Sequence, residues 1–201
     1  MRHLTTTRRD AALAGHRRAG CPPRQSGFTL IELIVVMVLM GILVAIGVPS
    51  FQNITTSSRM SAESNDLLGD LQYARAEAIR EGTPVTVCIA NSTGTACNVA
   101  STSWQQGWVV FSDVNDDQTI DAGDAVLRIQ GAFSGTDTFQ SNNPDYAVTF
   151  TREGFASVGG GSLTVTLNNA SANKYFELCL DISQAGMMSI LSHSSEPLSC
   201  T

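Results

Sequence analysis

Two features of this chain have residue types and spacings that could do chemistry. The first is an acidic run in which Asp113, Asn115, Asp117, Thr119, Asp121 and Asp124 stand at positions 1, 3, 5, 7, 9 and 12, with apolar Ile120 at position 8. Calcium takes six to eight hard oxygen ligands, and loops of this spacing turn such oxygens toward one centre. Two departures count against that reading. Gln118 stands where such loops carry a turn-making glycine, and Asp124 replaces the longer glutamate that binds through both oxygens. The competing reading is an Asp/Asn-rich hairpin turn between strands at Trp108–Ser112 and Ala125–Gln130, where such residues are at home. The turn is preferred, and Ca2+ is the one cofactor the sequence suggests. The second feature is Glu32, the only ionisable side chain between Phe28 and Phe51. A charge inside a membrane helix costs about 2.5–3.5 kcal/mol at mid-bilayer and is functional by default.

These residues need elements to position them. Residues 28–48 form an apolar run of 21. At about 1.5 Å per residue, such a helix crosses a hydrocarbon core of about 30 Å. The formal charge of −6 hides a division at this point. Six arginines face Asp10 up to Gly27, a balance of +5, whereas six cations face seventeen acids beyond it, a balance of −11. The arginines before the run place the N-terminus in the cytoplasm and send the rest outward. A cleaved signal peptide would need a shorter apolar core and a small-residue cleavage site. Ala19-Gly20-Cys21 lacks the hydrophobic stretch that would precede a lipoprotein cysteine, and neither arginine pair at 8–9 or 17–18 leads directly into an apolar segment.

Gly27-Phe28-Thr29-Leu30-Ile31-Glu32, followed by the apolar run, resembles the processing site of type IV prepilins and type II secretion pseudopilins. The resemblance implies cleavage after Gly27 by a membrane prepilin peptidase and N-methylation of Phe28. It also implies an assembly role for Glu32, fifth in the mature chain. Physics supplies an independent reason, because a buried carboxylate wants a cationic partner. The free amine of Phe28 on a neighbouring subunit would reward packing only in the correct stagger. Pro49 sits where many pilins carry a helix-weakening proline.

Beyond Pro49, Met60, Ser64, Leu67, Leu71, Ala74 and Ala78 recur at spacings of three and four, one stripe of a helix to about Arg80, ended by Gly82-Thr83-Pro84. Short strands are expected at 84–90, Trp108–Ser112, Ala125–Gln130, 147–151, 163–167, 175–180 and 187–191. The expected fold is α+β and type IV pilin-like, a long N-terminal helix packed on antiparallel sheet. Its divisions are a cleaved leader at 1–27, a membrane-spanning or filament-core half-helix at 28–51, an amphipathic half at 52–82 and a β-rich head at 83–201.

Leu71-Gln72-Tyr73-Ala74-Arg75-Ala76-Glu77-Ala78-Ile79-Arg80 with Thr83-Pro84-Val85, and Gly107-Trp108-Val109-Val110-Phe111 with the acidic run, resemble the FimT/GspH branch of minor pilins. That resemblance implies a structural subunit of a pilus or pseudopilus. The implied partners are the prepilin peptidase, other major and minor pilins, the inner-membrane assembly platform and, before assembly, the membrane itself. Some members of that branch are DNA receptors through a basic C-terminal motif. Gln184-Ala185-Gly186-Met187-Met188 carries no arginine, and six scattered cations make poor material for phosphate contacts.

Setting aside Cys21 in the leader leaves Cys88, Cys97, Cys179 and Cys200, an even set that favours two disulfides on an exported domain. Of three connectivities, Cys88–Cys97 with Cys179–Cys200 closes two local loops and is preferred. Zinc is disfavoured by the lack of a C-x-x-C pair and by His193 being the only histidine past the leader. No nucleophile elbow, phosphate loop, HExxH or paired-carboxylate spacing appears, which argues against an enzyme. Trp104 and Trp108 read as packing residues.

Overall fold

The computed structural model describes residues 27–159, 161–192 and 200. The expected leader, up to residue 26, and His193 lie outside the described residues. Helix α1 spans Leu30–Glu81. It opens on Thr29, whose Oγ1 accepts a hydrogen bond from Glu32 N at 3.2 Å, satisfying one of the orphan donors of a helix start. It closes on Gly82, which adopts φ 70° and donates to Ala78 O at 3.0 Å. That left-handed cap suits glycine, and Pro84 follows where no helix could continue.

The described residues fall into two compact units, one ending at Ala45 and one running from Ile46. In the first, α1 is apolar all round and fully exposed, with Leu30, Ile31, Leu33, Met37, Leu39 and Leu43 each at least half uncovered. A helix hydrophobic on every side is one made to be surrounded. It is long and apolar enough to cross a membrane.

In the second unit α1 keeps one stripe. Met60, Leu67, Leu71, Ala74 and Ala78 are buried, as expected. Around them stand β1 (Val85–Ile89), β2 (Trp108–Ser112), β3 (Ala125–Gln130), β4 (Thr138–Ser141), β5 (Ala147–Phe150), β6 (Ala156–Ser157), β7 (Ser162–Asn168), β8 (Leu178–Ser183) and β9 (Met188–Ser192). They form two sheets, in the orders β3-β2-β1-β5-β6 and β4-β7-β8-β9, with every pairing antiparallel. Alternation sends Val85, Val87 and Ile89, Trp108 and Val110, and Val148 and Phe150 into the core with α1. Leu163, Val165, Leu167, Leu180 and Ile182 enter the same core from the second sheet.

The α+β class and the long helix on antiparallel sheet are as the sequence indicates. Three details differ. The β structure divides into two sheets. β4 and β6 arise where no strand is expected, because TFQS carries a single core residue, Phe139, and gains its stability from pairing with β7. Residues 174–176 form a short 3-10 turn instead of opening a strand, since Asn173 Oδ1 accepts from Tyr175 N at 3.1 Å. β8 therefore begins at Leu178.

Polar bonds pin α1 to both sheets. Arg59 makes two bonds to Asp137, at 2.7 and 2.8 Å. Asp70 accepts from Trp108 Nε1 at 2.9 Å and from Arg128 at 2.8 Å, and the Arg128 guanidinium lies 3.7 Å from the centroid of the Tyr73 ring. Arg75 donates to Gly154 O at 2.9 Å and to Ala185 O at 3.3 Å, holding the β5–β6 and β8–β9 turns together.

Glu63, one turn beyond Arg59, is buried with its Oε2 unpartnered. Burial, and then the charge of Asp137, push its carboxyl above the ordinary glutamate range, with Asp66 adding and Arg59 opposing. A raised folded-state value contributes stability below the unfolded value, and that contribution is lost as pH rises through the folded one. Glu63→Gln is therefore expected to raise Tm by roughly 2–4 °C at neutral pH. Thermal melts should show the gain narrowing toward about pH 4, where both forms are neutral. A gain independent of pH would refute this account of Glu63.

Candidate functional site

The N-terminal motif sits at the open end of α1. Phe28 is 81% exposed. A Cβ added at Gly27 would meet no atom within 4 Å, so nothing within this chain's packing demands glycine there. A requirement for glycine would come from whatever handles the chain from outside. Glu32 is exposed in the first turn, where a carboxylate also suits the positive end of the helix dipole. Sequence reasoning left out its second role. Thr29-Leu30-Ile31-Glu32 has the spacing of a capping box, and the Glu32 N–H to Thr29 Oγ1 bond is one half of that device.

The acidic run connects β2 to β3 and folds back over the face of the five-stranded sheet turned away from α1. That face buries Cys88, Ala90, Val109, Phe111 and Ala147, with Ile120 of the run packed against them. Asp113 is fully buried. Its Oδ2 accepts from Thr86 Oγ1 at 2.8 Å and from Gln118 N at 3.0 Å, while Oδ1 accepts from Asp117 N at 3.1 Å. Thr86 and Thr149 hydroxyls lie 2.8 Å apart, and Gln118 Nε2 donates to Thr149 Oγ1 at 3.1 Å. Gln118 holds φ 60° and Asp116 φ 57°. The glycine-like conformation is thus present at position 6 without glycine, and the Thr149 bond offsets part of its cost.

The other expected ligands divide. Asn115 Nδ2 donates to Asp117 at 3.0 Å and to Asp121 at 3.1 Å, which brings those three together at the surface. Thr119 N donates to Asp117 Oδ1 at 2.8 Å. Asp124 accepts from Val114 N and Asp121 N, each at 3.1 Å. Asp113 faces the sheet, away from that cluster. Burial first, and then the Asp113 charge, raise the Asp116 carboxyl above the ordinary aspartate range.

The structure pairs Cys88 with Cys97 and Cys179 with Cys200. Glu177, Cys179 and Cys200 come close enough to resemble a metal cluster, but the two sulfurs are bonded to each other and offer no thiolate. Trp104 and Trp108 are fully buried. The polar partners Thr86, Thr149, Asp70 and Arg75 were not singled out as site residues. Long-range hydrogen bonds leave no periodic signal: Asp70 and Arg75 lie off the helix stripe that periodicity marks, and their partners are distant in sequence.

A family model described as "Type II transport protein GspH" matches residues 63–186, and one described as "Prokaryotic N-terminal methylation motif" matches residues 22–48. The type IV major fimbrial protein FimA of Dichelobacter nodosus is 36% identical over 70 residues, covering 35% of this chain and 44% of that protein. A fimbrial protein of Pseudomonas aeruginosa is 40% identical over 58 residues, covering 29% and 37%. The chain thus matches less than half the length of these relatives. Among solved structures, the type IV minor pilin FimU of Pseudomonas aeruginosa has the same fold, with TM-score 0.56 and 24% identity over 72% of this chain and 96% of that one.

Proposed function

Because the chain belongs to the type II transport protein GspH family, we propose that it is made as a prepilin and matures into a minor structural subunit of a type IV pilus. The leader is cut after Gly27 and Phe28 is N-methylated. α1 then holds the subunit in the inner membrane, with its N-terminus cytoplasmic and its head outward, until assembly transfers the helix to a filament core. There the subunit primes or caps the pilus beside other minor pilins. One observation carries this reading: the Gly27-Phe28…Glu32 motif opens a helix whose apolar surface is exposed all round. Glu32 is assigned to subunit register, through the Phe28 amine of a neighbour. The acidic run is assigned to a self-capped turn, a reading supported by the N–H donors that already occupy its carboxylates.

A second reading, a secretion pseudopilin working as part of a piston-like filament, is favoured by the name of the family itself. Neighbouring genes separate the two: minor-pilus genes or secretion-channel genes. DNA uptake is disfavoured because Arg59, Arg75, Arg80, Arg128 and Arg152 are all engaged within the chain.

Mass spectrometry of the membrane-extracted chain tests the reading. The expected N-terminus is Phe28 carrying one methyl group. A chain still beginning ahead of Gly27, or cut elsewhere, would refute it.

A further inference from the structure

The two sheets have four edges, and β3 is one that carries no backbone bond on its outer side among the described residues. β4 is bridged at Gln140 by Ser103, and Ser141 N donates to Thr102 O at 3.0 Å. β6 takes a bond from Ala156 N to Gln184 O at 2.9 Å. β9 runs directly into residues outside the described set. β3 pairs with β2 on one side alone and is exposed along most of its length. An unpaired edge offers a row of backbone donors and acceptors to another chain.

Its guard points the wrong way to close that edge. The single β3 charge, Arg128, is drawn toward α1 by Asp70 and Tyr73. On the opposite face the register sets Val126 beside Phe111 and Ile129 beside Val109. Phe111 and Val109 are covered, whereas Val126 is 45% and Ile129 59% exposed. The strip ends differently at its two poles. Beyond Ile129 lies a cleft of about 750 Å³ walled by the Cys88–Cys97 loop, lined by Asn91, Asn98, Gln106, Gln130 and exposed Val99, with no charged side chain. Beyond Val126 lie Asp117 and Asp121, exposed at the surface of the acidic run.

We propose that β3 receives an extended segment of a different pilin-like subunit, which adds as a strand to this edge. Its apolar side chains cover Val126 and Ile129, its uncharged end enters the cleft, and a Lys or Arg at its other end meets the acidic run. Strand addition draws affinity from main-chain bonds and specificity from alternate side chains. A second copy of this chain cannot supply the cation well. Of its six cations past Gly27, five are engaged internally and Lys174 alone remains among the described residues. Charge complementarity therefore selects a partner of opposite character.

The inference rests on the subunit reading above, and one experiment keeps them apart. The full chain is produced together with the other pilin-like subunits made by its own cells. Photoreactive benzoylphenylalanine replaces Val126, Ile129 or, as a control in the 3-10 turn ahead of β8, Tyr175, which is 82% exposed. Adducts to a different subunit, through a basic extended peptide, are expected from 126 and 129 at about ten times the yield from 175. Ile129→Lys should suppress the adduct formed from 126, and Val126→Lys the one formed from 129. Unreduced mass showing an intact Cys88–Cys97 bond reports that each variant folds. Adducts to a second copy, equal yield from 175, or no suppression in both folded Lys variants would overturn the inference. Methylated Phe28 in the same sample with no adduct overturns it while leaving the subunit reading standing.

Discussion

Glu32→Gln and Glu32→Ala are expected to be lost from filaments alike, by at least about a hundredfold, while the chain is still cut and methylated. The proposed pairing with a neighbour's amine would need charge, and removing one partner of a buried pair costs about 3–5 kcal/mol because the other is left uncompensated. A tenfold population change corresponds to about 1.4 kcal/mol, so the expected loss is conservative. The glutamine variant separates this role from the helix cap. Glutamine serves a capping box as well as glutamate does, and it leaves the bond between the residue 32 N–H and Thr29 Oγ1 untouched. Quantifying subunit in sheared filaments against subunit in membranes reads the result. Wild-type incorporation of Glu32→Gln would assign the residue to capping and end the register account.

The second large effect lies in the acidic run. Asp113→Ala is expected to cost about 3–5 kcal/mol, since each buried donor left unpartnered costs about 1–3 kcal/mol. The orphaned donors would be the Thr86 hydroxyl and the Asp117 and Gln118 amides, although Thr86 can turn to Thr149. Asp121→Ala, which removes an exposed acceptor from Asn115, is expected to stay within about 0.5 kcal/mol. Chemical denaturation of the detergent-solubilised chain measures both. The same melts test calcium. A site filled at one hundred times its Kd would add about 2.7 kcal/mol. The turn reading expects no shift in millimolar calcium. A shift lost in Asp117→Ala and Asp121→Ala would overturn it.

These two sites were legible in the sequence to different depths. Glu32 stands out because an ionisable group in an apolar run is conspicuous. The same four residues also spell a capping box, and the louder signal concealed the quieter one. In the acidic run, spacing gave the residues but not their directions. Asp113 reads as the first of six equivalent oxygens, yet its Cα lies where the run leaves β2, so the side chain turns under the loop to Thr86. Helix periodicity located Met60, Leu67, Leu71, Ala74 and Ala78 because packing on one face imposes a period. β4 was missed because its pairing with β7 supplies what its own composition lacks. The split into two sheets lies in the pairing of β4 with β7 while β5 pairs with β1, a choice between distant strands that no local pattern encodes.

The polar pins on α1 carry a mechanical consequence. Arg59, Asp70 and Arg75 grip, in succession, the segment before β4, the β2–β3 pair and the two turns at Gly154 and Ala185. A tension that draws the helix out of the head loads these grips and the buried stripe in parallel, so the contacts share the force. Resistance to force is set by the unfolding rate. A helix held to both sheets at several heights makes the head a plug fixed on its own shaft, which in the proposed filament would resist being pulled away.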